Sequence, residues 1–170
     1  SNYLGDILGY FLDTFDIIFK KENQNNSTNF ASHISFLQAI YVQQDFVEEM
    51  LILFKTNLVK GDMKLNDDYS INREIRNELV GHPIRRQAGK LISSTLFGYE
   101  RSAGKIIYLR YHNENNFDFE AVELDVEEII TRHCNFLVFY FDVIIEKCKD
   151  VLNKYSAELE SVLQAADRVE

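Results

Sequence analysis

Two residues able to do chemistry stand close together in Arg76-Asn77-Glu78-Leu79-Val80-Gly81-His82-Pro83. Imidazole, with an ordinary pKa near 6.5, suits proton transfer at neutral pH. A guanidinium is permanently charged and forked, which matches the oxygens of a phosphate. Ile75 and Leu79 lie four apart, as an apolar helix face requires. Gly81 then offers the left-handed turn that closes a helix. Pro83 forbids continuation and pushes His82 toward an extended conformation. The spacing predicts a helix end across which the imidazole points back. Arg76, about a turn and a half upstream, could converge with it on one phosphate. The same residues also suit an ordinary helix terminus, where Gly, Pro and a cation near the last carbonyls recur without function.

The rest of the chain bounds what such a site can belong to. The 170 residues are expected to form a single domain, 1–170, large enough to bury about two thirds of its unfolded surface. A 46 % hydrophobic content with 13 Phe and 9 Tyr is that of a folded core, not of disorder. No run approaches the roughly 18 apolar residues of a membrane span, and no signal peptide opens the chain, so a cytoplasmic protein without membrane contact is expected. Cys134 and Cys148 fall on one helical pattern, about 21 Å apart by helical rise, and are expected to stay reduced. The net charge of −9 argues at first against nucleic acid, but it is unevenly spread. Residues 73–112 hold 8 Lys/Arg against 3 Asp/Glu, whereas 1–72 hold 5 against 10 and 113–170 hold 5 against 14. An acidic body with one basic window focuses an anion on a small region. Acidic helix surfaces beside strands that carry Lys and Arg give the same distribution.

The elements that must position the motif follow from periodicity. Apolar groups recur at helical spacing over 3–21 and again from Phe30 to about residue 59, with a polar loop between. Lys60-Gly61-Asp62 ends the second helix. A third, short helix is expected from about Tyr69 to Val80, capped by Asp68 or Ser70. After Pro83, Lys90–Tyr99, Lys105–His112 and Asn116–Glu123 read as strands separated by turns at 101–104 and 113–116. The middle strand is apolar on both faces, so a cover, either a helix or a second subunit, is expected on each. From Asp125 a final helical pattern alternates steps of three and four for more than 30 residues. That exceeds what the other helices can cover, so the distal part either breaks or packs on another chain. The expected fold is mainly α: an antiparallel up-and-down helical bundle with a small antiparallel β-meander, 84–123, inserted before the long C-terminal helix.

A helical bundle with an Arg-polar-x(3–5)-His segment, here Arg76-Asn77-x4-His82, at the end of its third helix resembles the HEPN family. The resemblance covers the helical parts, about 120 residues, and leaves the 84–123 meander as an embellishment. It implies a metal-independent endoribonuclease, of the kind found among toxins and phage-defence effectors, working as a homodimer whose two motifs face one cleft. The retained Arg76 and His82 favour that active class; the alternative is a non-catalytic dimeric module that binds a protein partner, RNA or a nucleotide. An antitoxin or regulatory protein is a further expected partner.

Cutting RNA without metal requires a base for the 2′-OH, charge stabilisation at the pentacoordinate phosphorus and an acid for the leaving 5′-oxygen. His82 is the motif residue suited to proton transfer, and Arg76 suits the phosphate oxygens. Asn77 could orient His82 or bind a phosphate oxygen. One histidine per chain leaves the reaction one proton-transfer group short, which a second His82 across a dimer interface supplies. Arg73, Arg85, Arg86 and Lys90 flank the motif as candidates for the neighbouring RNA backbone. Tyr99, Tyr108 and Tyr111 are available for base stacking, although sheet packing is the more ordinary use. His33, His112 and His133 lack partners at ligand spacing, and His133 reads as a core histidine with a hydrogen bond. With no CxxC, HxxxH, DxD or glycine-rich phosphate loop, neither a metal nor a cofactor is expected.

Overall fold

The computed structural model describes residues 3–19, 30–59, 61–96, 104–116 and 118–167. Most of them lie in four α-helices: α1 (Tyr3–Phe19), α2 (Phe30–Leu53), α3 (Asp67–Arg76) and α4 (Val126–Ala166). Between α3 and α4 stands an antiparallel meander of β1 (Ile84–Gln87), β2 (Lys90–Leu96), β3 (Lys105–His112) and β4 (Phe119–Asp125), in spatial order 1-2-3-4. The mainly helical class with strands before a long last helix agrees with the sequence reading. The meander has one strand more than expected and starts directly after Pro83.

The helix ends depart from expectation for local reasons. α2 stops at Leu53, not near residue 59, because Lys55 turns into the left-handed region at φ 51°. Lys55 N–H donates to the Ile52 carbonyl (3.0 Å) and Thr56 N–H to the Leu51 carbonyl (3.1 Å), the paired bonds of a Schellman end more often built on glycine. α3 is capped by neither Asp68 nor Ser70. The Asn66 side chain accepts from Tyr69 N–H at 3.1 Å instead, two residues before the nearer expected cap. α4 starts where expected, its Asp125 carboxylate accepting from the N–H groups of Glu127 (2.8 Å) and Glu128 (3.3 Å). It does not break: it runs for 41 residues, about 60 Å by helical rise, and residues 151–167 are exposed throughout.

The extra strand exists because Ala88 and Gly89 both take positive φ, 51° and 81°, as a two-residue primed hairpin demands. The turn expected at 113–116 is a 3₁₀ turn that ends with Asn116 in the left-handed region. The other expected turn, 101–104, lies outside the described residues except for Gly104, as does the strand tail at 97–99. Ile92, Ser94, Leu96, Ile106 and Tyr108 on one face of the sheet are buried. Ile107, Leu109 and Tyr111 on the other face stay half-buried. The helices therefore cover β3 on one side, not on both.

Two apolar cores share α2 and α4. One joins Ile18, Phe36, Leu37, Ile40 and Ile129 to Leu79 and the inner face of the sheet. The other joins Phe11, Phe46, Val47, Met50 and Tyr69 to Phe136, Tyr140 and Ile144. Between these sets along the chain fall four fully buried polar residues, Gln43 and Gln44 of α2, Asn72 of α3 and His133 of α4. Asn72 Nδ2 donates to the Ile129 carbonyl (2.9 Å) and Gln44 Nε2 to the Tyr69 carbonyl (3.0 Å). Gln43 turns its amide nitrogen to Phe11 O (3.3 Å) and Thr14 Oγ1 (3.2 Å), so its Oε1 accepts from His133 Nε2 at 2.8 Å.

His133 is thus the hydrogen-bonded core histidine the helical pattern suggests, and its environment has a pH consequence. Burial pushes its pKa down from 6.5 to about 4. As pH falls through that interval the unfolded chain takes up a proton that the folded one refuses, so stability drops. The full shift corresponds to about 3 kcal/mol, present above pH 6.5 and lost by pH 4. Chemical denaturation at pH 7 and pH 4 is expected to show wild type losing about 3 kcal/mol more than His133→Gln. Equal losses in the two proteins would place the acid sensitivity elsewhere.

Candidate functional site

The Arg76–His82 segment closes α3 in an unexpected way. Residues Asn77–Gly81 form a π turn, with His82 N–H donating to the Asn77 carbonyl at 2.6 Å. Such wide turns occur often at functional sites. Gly81 is not left-handed, contrary to the expected helix stop. Its lack of a side chain serves a different purpose: a Cβ there would stand 2.9 Å from Arg76 Nη1, so the guanidinium lies against the glycine that precedes His82. His82 follows at φ −141°, exposed, with no hydrogen bond or ion pair from its ring among the described residues. Pro83 opens the sheet, its carbonyl accepting from Ser94 N–H at 2.7 Å.

Arg76 is held from three sides. Its Nε (3.1 Å) and Nη2 (2.9 Å) both donate to Gln38 Oε1 of α2, and its Nη1 donates to Asn77 Oδ1 at 3.1 Å. Its Cζ lies 3.9 Å from the Tyr41 ring centroid, and Arg73 stacks on the same ring at 3.8 Å. The Asn77 side chain therefore orients Arg76; its contact with His82 is the backbone bond alone, and it makes no hydrogen bond to the imidazole. Arg73 is occupied as well, donating to Asp45 at 2.7 Å.

The remaining flanking cations separate by strand face. Arg86 is exposed on the outer side of β1, and Lys90 pairs with Glu114 at 2.7 Å. Arg85 points inward, 3.6 Å from Glu78, and its Nη1 is buried with no hydrogen-bond partner among the described residues. Tyr108 is buried and its hydroxyl accepts from Arg110 Nη2 at 2.7 Å, so it packs and is not a stacking platform. Tyr111 lies on the outer sheet face, 6.1 Å from Phe119 between ring centroids. Tyr99 falls outside the described residues. His33 is half-buried, with burial lowering its pKa, and His112 is half-buried across from Ile92.

A cluster the sequence reading did not single out ties this region together. Glu78, inside the π turn, accepts from Arg110 Nε (2.7 Å) and Nη2 (2.9 Å) and from Ser94 Oγ (2.7 Å). Burial opposes ionisation of Glu78, but the hydrogen bonds from Arg110 and Ser94 and the charges of Arg110 and Arg85 outweigh it and hold its carboxyl below the usual range. The hydrogen bond to Glu78 raises the pKa of Arg110 further. Burial, then the Glu78 charge, raises that of Tyr108. Strands β1, β2 and β3 are thereby anchored to the turn that carries His82. One signal was available: Arg110 shares its strand face with Ile106 and Tyr108, and a charge facing a core requires a partner.

The chain matches no protein-family model, no curated protein and no solved structure. The geometry itself offers an oriented guanidinium against the backbone one residue before an exposed imidazole. Arg86 lies exposed on the adjoining strand. Such a set can contact a phosphate and exchange a proton beside it. Among the described residues no helix is long and apolar enough to cross a membrane.

Proposed function

We propose that the protein is a metal-independent endoribonuclease of HEPN type, cleaving single-stranded RNA by attack of the 2′-OH on the adjacent phosphorus. The observation that carries this reading is Arg76 lying over Gly81, beside the exposed His82, at the end of the third helix. In it His82 moves the proton, Arg76 stabilises the charge on phosphorus and Asn77 orients Arg76. Arg86 and Lys90 lie beside the substrate backbone, whereas Arg73 and Arg85 support the site through Asp45 and Glu78. The reading includes an up-and-down antiparallel bundle, a homodimer whose second His82 supplies the missing acid, and a cytoplasmic toxin or defence role restrained by an antitoxin or regulatory protein.

The test is incubation of the purified protein with end-labelled single-stranded RNA in EDTA. Cleavage leaving 2′,3′-cyclic phosphate ends is expected, and intact RNA at micromolar enzyme overturns the proposal. A second reading, a non-catalytic dimeric module that binds a protein partner, RNA or nucleotide, is favoured by one specific observation. Gln38 and Asn77 together occupy Nε, Nη1 and Nη2 of Arg76, which suits a structural arginine as well.

A further inference from the structure

The distal half of α4 is a second feature with no role in the cleavage site. Two rows of apolar residues keep a seven-residue period, Ile145, Leu152 and Leu159 in one and Cys148, Tyr155 and Val162 in the other, with Val151 and Leu163 flanking them. The last core contacts of the helix are Ile144 and Cys148. Beyond them Leu152 is 67 %, Tyr155 64 %, Leu159 61 % and Val162 65 % exposed. From Lys149 to Ala166 the helix extends about 27 Å past the body. An isolated helix of this length is marginal in water, so a seam of this kind calls for a partner. The 3.5-residue average spacing specifies another helix, wound as a left-handed coiled coil.

The charge pattern indicates which helix. Residues 147–154 carry Lys147, Lys149 and Lys154 against Asp150, whereas 155–167 carry Glu158, Glu160 and Asp167 with no Lys or Arg. A parallel, in-register pair would set each stretch beside its own copy and bring two acidic bodies together. Reversing one helix about a centre between residues 153 and 154 has the opposite effect. The lysine-bearing stretch 147–154 then lies along the acidic stretch 155–160 of the partner subunit, and the bodies move apart. Lys149 keeps its 2.7 Å pair with Glu146 in either case. In the reversed alignment Leu152 faces the partner's Tyr155, Cys148 faces the partner's Leu159 and Ile145 faces the partner's Val162, so every layer is apolar.

We propose that α4 pairs with α4 of a second copy of this chain as an antiparallel coiled coil over residues 145–162. The motif-bearing ends then lie about 70 Å apart along the axis. This contact is therefore separate from any composite cleft and does not depend on the ribonuclease reading. Two measurements on the full chain test it. Light scattering at tens of micromolar is expected to show that Leu152→Glu with Leu159→Glu halves the mass of the wild type. An unchanged mass, or a monomeric wild type, overturns the interface. For orientation, Leu159→Cys in a Cys134→Ser background is expected to oxidise to a disulfide-linked dimer through Cys148, while Cys134→Ser alone stays uncrosslinked. Crosslinking of Cys134→Ser alone through Cys148 to the partner's Cys148 would show a parallel pair and overturn the antiparallel one.

Discussion

Replacing His82 with alanine is expected to slow RNA cleavage by about 10²–10⁴-fold, the usual contribution of one positioned proton-transfer group. The ring is exposed and makes no hydrogen bond or ion pair among the described residues, so its removal should leave stability within about 0.5 kcal/mol of wild type. This separates chemistry from folding. Arg76→Ala cannot make that separation, because it also strips the bonds to Gln38 and Asn77 and the contact with Tyr41. A lysine at position 76 keeps the charge but cannot reproduce the two-nitrogen grip on Gln38. Single-turnover rates in EDTA, read beside melting curves of the same samples, decide the point. A His82→Ala protein cutting at the wild-type rate would remove His82 from the mechanism.

The second large effect is on stability. Glu78→Ala is expected to cost about 2–4 kcal/mol at pH 7, because it leaves Arg110 half-buried without its carboxylate. Ser94 and Arg85 lose a partner at the same time, and the sheet loses its attachment to the π turn. Since the folded carboxyl is held below the ordinary glutamate value of 4.5, its contribution is present above that pH. It fades as pH falls through the folded value. Urea unfolding of Glu78→Ala, Arg110→Ala and the double variant measures the coupling. A loss below about 1 kcal/mol for Glu78→Ala would show the ion pair to be a surface contact of ordinary size. The π turn also carries His82, so a Glu78→Gln protein that stays folded at the assay temperature yet cleaves more slowly than wild type would mark Glu78 as a positioning residue as well.

The long helices were readable because Phe11, Ile40, Phe136 and their neighbours repeat at 3.6 residues and are buried as that repeat requires. What escaped was set by single residues acting against type. Lys55 ends α2 in a conformation usually given to glycine, and Ala88 takes positive φ in a hairpin. Ile84–Gln87 is only four residues long with two arginines at its centre, so β1 reads as a turn after Pro83. The motif was visible as residue types, but its geometry was not. Gly81 suggested a left-handed stop, whereas its real constraint is the guanidinium resting on it. Glu78 stayed hidden because its partners Ser94 and Arg110 lie 16 and 32 residues away in sequence.

The buried band of Gln43, Gln44, Asn72 and His133 bears on how the helices choose their alignment. Apolar surfaces on α2, α3 and α4 attract one another with little regard for register, since a slide of one turn, about 5.4 Å, exchanges one hydrocarbon contact for another. The same slide would set four amide or imidazole groups against Leu, Ile and Phe, at about 1–3 kcal/mol for each one left without a partner. Non-specific cohesion thus supplies most of the attraction, while these few polar groups act as a vernier that admits a single setting. Gln38 and Tyr41 lie on the same helix as that band, so the setting also decides where the guanidinium of Arg76 comes to rest.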